Sequence, residues 1–279
     1  EELGIEQVKL LSPITRNQQF VCQGANYRQH MIESGMDPDA KKYNMIFTKA
    51  SSCIVAADSP LIKPRNVRFL DYEIELGLVL KREITGAVKV TDANLHEFIA
   101  GLVIVNDYSA RDIQIPQMQF YKGKSFRTFG PVGPHLCLLE AKDMKYLQQL
   151  QLRLTVNDQV RQSDSTANLV HKPAETLTEL SGVHDFSAGD LIATGTPAGC
   201  ALAIPSPAKQ RLAAAVLPES VKWKAFLKAQ EARRNFYLKN GDVVLNREGK
   251  LLRPKRLPSN LFQFRAGTGE ARCVLDSIT

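Results

Sequence analysis

The sequence predicts an α+β, β-rich fold for this 279-residue chain. Three observations carry that prediction. Apolar residues alternate with period two in several short runs bounded by Gly, Pro, Asn and Asp. Few segments show helical periodicity. No GxGxxG or GxxxxGK[ST] run occurs, so no nucleotide-binding α/β fold is indicated. A composition of 44% hydrophobic and 23% charged residues is ordinary for a globular chain. A chain of this length buries roughly three-quarters of its unfolded surface and needs no covalent staples.

The elements read in order as follows. Residues 1–69 consist of short strands and turns, with one helix opening near Asn26; Pro60 and Pro64 mark the loop that ends them. Residues 69–80 form the clearest strand. A helix is expected around 92–100, followed by a strand over 102–106. Leu150, Leu152, Leu154 and Val156 alternate up to Asn157-Asp158, which reads as a hairpin. Residues 173–180 begin with Pro and form a short helix. Residues 191–193 are a short buried strand leading into Thr194-Gly195-Thr196-Pro197-Ala198-Gly199. The stretch 201–238 differs in character. Ser220 is expected to cap a helix over 221–238. Trp223, Phe226 and Leu227 share one face of it, ringed by Lys222, Lys224 and Lys228.

Charge is uneven. From Lys209 to Arg256 there are 13 Lys/Arg and 4 Asp/Glu, a local +9 against +7 for the whole chain. A nucleic-acid or anionic-partner role for this segment is the less favoured reading, because its aromatic residues sit at helical spacing and look like packing. The five cysteines are widely spaced with no CxxC, which argues against zinc and against a disulfide framework and suggests a reducing, cytoplasmic setting. No apolar run approaches ~18 residues, so no membrane span is expected. The first residues resemble no signal peptide, and the missing initiator Met suggests a trimmed sequence.

Two features carry chemistry. On a strand over 69–80, side chains alternate, so Leu70, Tyr72, Ile74, Leu76, Leu78 and Leu80 share one face and Asp71, Glu73 and Glu75 the other. Adjacent carboxylates repel, and either water or a hard cation relieves them. The first outcome is an edge strand with a solvated acidic face. The second is a metal site, with Asp107, at the end of the strand before it, as a further ligand. The other feature is His30, three residues before Glu33. On a helix the two share a face, and Glu33 could orient His30 as a base; the plainer alternative is a surface ion pair. The other four histidines, 96, 135, 171 and 184, read as structural, with His135 and His171 lacking a local partner.

Together these residues resemble the fumarylacetoacetate hydrolase family. Four blocks carry the resemblance: Asn26-Tyr27-x-x-His30-x-x-Glu33; Asp71-Tyr72-Glu73-Ile74-Glu75-Leu76; Asn106-Asp107-Tyr108-Ser109-Ala110-Arg111-Asp112-Ile113-Gln114 with Gly123-Lys124-Ser125-Phe126; and Arg161-Gln162-Ser163-Asp164-Ser165-Thr166 with residues 189–199. The resemblance implies a rolled, mixed β-sheet fold with a small N-terminal domain (1–69) before a catalytic domain (70–279), usually as a homodimer. It implies Mg²⁺, with Mn²⁺ an alternative, on Glu73, Glu75 and Asp107. It implies a water-activating His30–Glu33 dyad, Lys124 beside the metal, and Arg111, Gln114 and Thr196 near the substrate's oxygens.

The implied activity is hydrolysis of a carbon–carbon bond in an acylpyruvate or related 2,4-diketo acid. Oxaloacetate decarboxylation, or hydration or isomerisation of unsaturated 2-keto acids, are the alternatives on this scaffold. Departures are Phe120-Tyr121-Lys122 where Trp is usual, Arg127 where Asp is common, and the basic stretch 201–238. That stretch is expected to roof the site or to build an assembly contact.

Overall fold

The computed structural model describes residues 7–39, 43–205, 207–249 and 269–275. The first strands are β1 (Phe20–Gly24), β2 (Met45–Lys49), β3 (Ile54–Ala56), β4 (Leu61–Lys63) and β5 (Leu70–Asp71). Next come β6 (Ile74–Leu80), β7 (Ile99–Asn106), β8 (Ser109–Ala110), β9 (Gly130–Val132) and β10 (Cys137–Leu138). The last are β11 (Gln151–Val156), β12 (Gln159–Ser165), β13 (Leu191–Ala193), β14 (Val243–Gly249) and β15 (Gly269–Leu275). The α-helices are α1 (Arg28–Glu33), α2 (Arg111–Gln114), α3 (Phe120–Lys124), α4 (Pro173–Ser181), α5 (Pro207–Val216) and α6 (Glu219–Ala232).

The central sheet runs β2-β1-β13-β6-β7-β9-β3, with β10 also on β7, and mixes parallel and antiparallel pairs. A second sheet runs β12-β11-β14-β15-β4. This is the α+β, β-rich architecture expected. The boundary expected at residue 69 falls between β4 and β5; β1, β2 and β3, all before it, lie in the same sheet as β6 and β7.

β6 is an interior strand, bonded to β13 and β7, and all seven of its residues are buried. The expected apolar face holds: Leu70, Tyr72, Ile74, Leu76, Leu78 and Leu80 all join the larger core. On the other face Gly77 leaves no room, since an added Cβ would lie 2.6 Å from Val103 Cγ2. The single strand expected over 69–80 is broken at Tyr72-Glu73. Side chains there replace the ladder: Asn106 Oδ1 accepts from Glu73 N–H and Gln162 Oε1 from Ile74 N–H, each at 2.9 Å. The acidic residues are therefore held at a strand end instead of along an exposed edge.

The hairpin is present as β11–β12, with Asn157 (φ 49°) and Asp158 (φ 63°) both left-handed, the geometry that two-residue turns demand. Two helical expectations are corrected. Around 92–100 only a 3₁₀ turn, Leu95–Glu97, forms. The Asn94 side chain accepts from Thr91 N–H at 2.7 Å, and Ile99 already pairs with Leu80. Near the C-terminus, Pro218 and not Ser220 precedes the helix, which stops at Ala232 instead of 238. Tyr237 and Leu238 turn inward to the core, and Leu238 N–H bonds Leu70 C=O. The same stretch also carries α5, which the sequence reading did not anticipate.

Candidate active site

Antiparallel pairing of β6 with β7 brings the acidic residues together. Ile74 lies opposite Asn106, so Glu73 and Glu75 flank that pair, and Asp107 N–H bonds Glu73 C=O at 2.8 Å. Carboxylate oxygens of Glu73, Glu75 and Asp107 lie within 4.8 Å of one another. All three residues are buried, Glu73 the most exposed at 5%. A solvated acidic face is thereby excluded. Asp71 takes a different part: its oxygens accept from the Ala201 and Leu202 N–H groups and from Arg111 Nε.

Bare carboxylates cannot be buried at this density without counter-charge. Lys124 Nζ bonds Glu73 Oε2 (2.7 Å), Asp107 Oδ2 (2.6 Å) and Ser109 Oγ (2.9 Å). The Arg111 guanidinium bridges Asp71, Glu73 and Gln114. Lys49, fully buried, bonds Asp107 Oδ1 (2.5 Å) and the Phe129 carbonyl. The sequence reading missed Lys49. Its only local signal is a charge closing the strand-forming run Met45-Ile46-Phe47-Thr48, and its partner lies 58 residues away.

Four carboxylates thus face three cations. Burial pulls Glu73 up, but Arg111 and Lys124 outweigh it and hold its carboxyl well below the usual range. Glu75 has no cation of its own among the described ion pairs and accepts from Gly195 N–H at 2.8 Å. Burial, then Asp107 and Glu73, push it well up. One carboxylate in excess, three oxygen donors in reach of one another and complete burial fit a hard divalent ion.

Helix α1 places His30 beside this cluster. The Nδ1 atom is buried and has no hydrogen-bond partner among the described residues, and a ring nitrogen lies within 4.8 Å of Glu73 and Cys200 ligand atoms. Burial, followed by the opposing influence of Glu73, leaves its pKa below the ordinary histidine value. The expected His30–Glu33 hydrogen bond is not among those formed. Glu33 Oε2 instead accepts from Gly199 N–H at 3.0 Å. Gln114 Oε1 accepts from Arg111 at 2.8 Å. The Thr196 hydroxyl donates to Ile74 C=O (2.9 Å) and accepts from Gln162 Nε2 (2.8 Å). Gln114 is thereby tied to Arg111 of the cluster, and Thr196 to the backbone of Ile74, between Glu73 and Glu75. His171 does have a local partner, Glu175 at 3.3 Å one helical turn on, and His184 packs on Phe186.

Comparison with known proteins places the chain in a family. Residues 19–254 match the fumarylacetoacetate (FAA) hydrolase C-terminal family. Oxaloacetate tautomerase YisK of Bacillus subtilis (strain 168) is 35% identical over 207 residues, 71% of this chain and 67% of that protein. The mitochondrial oxaloacetate tautomerase FAHD2A of Bos taurus is 35% identical over 195 residues, 69% of this chain; the match spans only 60% of the bovine protein. Among solved structures, 5-carboxymethyl-2-hydroxymuconate delta-isomerase from Mycobacterium smegmatis has a TM-score of 0.70 at 26% identity, over 100% of this chain and 86% of that one. Fumarylacetoacetate hydrolase from Exiguobacterium antarcticum gives 0.69 at 27% identity, over 98% and 80%. The chain belongs to the fumarylacetoacetate hydrolase family, an enzyme family in which these relatives are named as tautomerases, an isomerase and a hydrolase.

Proposed function

We propose that the protein interconverts keto and enol forms of a small 2-keto dicarboxylic acid of the oxaloacetate type, with a divalent metal. The observation that supports this reading best is a lone base beside a buried acidic triad. His30 Nδ1 is buried with no hydrogen-bond partner among the described residues, while Glu33 is engaged by Gly199. Moving a proton between carbon and oxygen needs one positioned base, and the Glu33 partner that the water-activating dyad would use is bonded to Gly199 N–H instead. The two curated relatives at 35% identity named as oxaloacetate tautomerases add to it.

Mg²⁺ or Mn²⁺ held by Glu73, Glu75 and Asp107 would draw electron density from the keto oxygen and so acidify the adjacent C–H. His30, kept neutral by its burial, takes that proton and returns it to carbon or oxygen. Lys124 holds fixed positive charge beside Glu73 and Asp107, where an enolate oxygen develops. Burial pulls Lys124 down, but Asp107 and Glu73 hold it above the usual lysine range, so it stays cationic. Arg111 fixes Glu73 and Gln114, and the Thr196 bond to Ile74 fixes the turn that carries the Gly195 N–H donor to Glu75.

Acylpyruvate hydrolysis is the second reading. Its support is that Glu33 and His30 share one short helix, so release of the Gly199 bond would free Glu33 to orient His30. A homodimer is part of either reading and is measured by light scattering. The deciding experiment supplies enol-rich oxaloacetate and acetylpyruvate with Mg²⁺ or EDTA, following enol absorbance and products by NMR. Metal-dependent enol loss with no fragment released supports tautomerisation. Two acids from acetylpyruvate support hydrolysis, and CO₂ as the accelerated product supports decarboxylation. No metal-dependent turnover of either compound overturns both readings.

A further inference from the structure

Glu73 belongs to two groups of ligand atoms. One is the carboxylate triad. The other is His30, Glu73 and Cys200, whose nitrogen, oxygen and sulfur atoms also lie within 4.8 Å of one another. Cys200 is held firmly. Gly199 N–H before it bonds Glu33, and Ala201 and Leu202 N–H after it bond Asp71. Gln162 Nε2 sits 3.7 Å from its sulfur. Gly199 adopts φ +103°, and an added Cβ there would lie 2.0 Å from Arg161 C=O, so the turn has little freedom to rotate the cysteine away. A His30 ring nitrogen lies within 4.8 Å of it, and His30 Nδ1 is buried with no hydrogen-bond partner among the described residues.

This ligand set differs in kind from the triad. Imidazole, thiolate and one carboxylate suit a borderline-soft ion, whereas three carboxylates suit a hard one. Tetrahedral zinc spaces its ligand atoms about 3.5 Å apart, so separations of at most 4.8 Å need to close by no more than about 1.3 Å, within reach of side-chain rotation. Three protein ligands leave a fourth position for water. We propose that His30, Glu73 and Cys200 form a second, thiophilic cation site that takes Zn²⁺, and that filling it withdraws His30 from catalysis. Binding replaces S–H by S–Zn, with the thiol proton released to solvent and no change of oxidation state. Both Glu73 oxygens already accept hydrogen bonds, one from Arg111 and one from Lys124, so holding an ion in either group adds a metal bond to an oxygen that keeps or gives up its cationic donor. The inhibitory half rests on the reading of His30 as the base; the binding half does not.

The test uses the full chain with excess Mg²⁺ present to occupy the triad. Cobalt(II) stands in for zinc as the spectroscopic probe, and zinc affinity is read by competition with a chromophoric chelator. The expected result is a thiolate-to-cobalt absorption band saturating near one equivalent. Cys200→Ser, checked for folding by circular dichroism, should lose the band and bind zinc at least tenfold more weakly. Absence of the band in folded protein, or unchanged zinc affinity in folded Cys200→Ser, overturns the site. Fractional inhibition by zinc is then compared, each protein against its own zinc-free rate. Inhibition lost in Cys200→Ser supports the second half. A filled site with an unchanged rate overturns it and, with it, the assignment of His30 as base.

Discussion

The acidic end of β6 and the basic pair α5–α6 look alike in sequence, since each mixes charged and apolar residues at regular spacing. In the fold they are opposites. Every residue of β6 is buried, and each of Asp71, Glu73 and Asp107 meets a buried cation. In α6 the buried residue is Gln230, and Leu212 and Val216 of α5 stand 65% and 64% exposed. Part of the basic charge there is met locally, Lys222 by Glu219 and Arg234 by Glu231. Charge patterning does not reveal which regime applies. What decides is whether the fold sets an opposite charge and no water against it.

Substitutions across the two regions should fall in a graded order. His30→Ala should lower kcat by about 10²–10⁴-fold, the usual contribution of a positioned base, with Mg²⁺ affinity by calorimetry nearly unchanged; equal loss of both would remove its assignment as base. Lys49→Ala should cost about 3–5 kcal/mol, because it leaves Asp107 buried and partly uncompensated; a urea midpoint close to wild type would mean that the centre tolerates imbalance. Gly77→Ala should cost about 1–3 kcal/mol by forcing Val103, Val105 and Leu191 apart.

In the helical pair, Gln230→Ala should cost about 1–3 kcal/mol. Gln230 bonds both backbone groups of Ala203 and the Tyr237 hydroxyl, and so ties α6 to the body. Protease cleavage within 207–232 should quicken in parallel. Lys224→Gln with Lys228→Gln, both exposed, should change stability by less than about 0.5 kcal/mol. A larger loss would show that this face meets more than solvent.

Much of the site was legible because its spacing is local. Glu73 and Glu75 lie two apart on one face, and Asp107 follows an apolar run of its own. The families of partners were not legible. Lys49 reaches Asp107 across 58 residues, and Glu33 reaches Gly199 across 166, distances at which period carries no information. The helix expected at 92–100 failed for a related reason. Leu95, Phe98 and Ile99 have helical spacing, but they enter the core from a 3₁₀ turn, the residue after it and a strand start, since pairing of Ile99 with Leu80 prevails over propensity.

The parallel pairing of β1 with β13, Phe20 against Leu191, also has a consequence in time. Gln19 and Asp190, the bonded residues at its foot, are 171 positions apart. At roughly 5–20 residues per second, synthesis leaves β1 without this neighbour for about 10–30 s. Closing so long a loop is entropically costly and slows folding. Helix α1 hangs directly from β1, so His30 reaches its place late. The residue proposed as the base thus settles only after nearly everything beside it has been made.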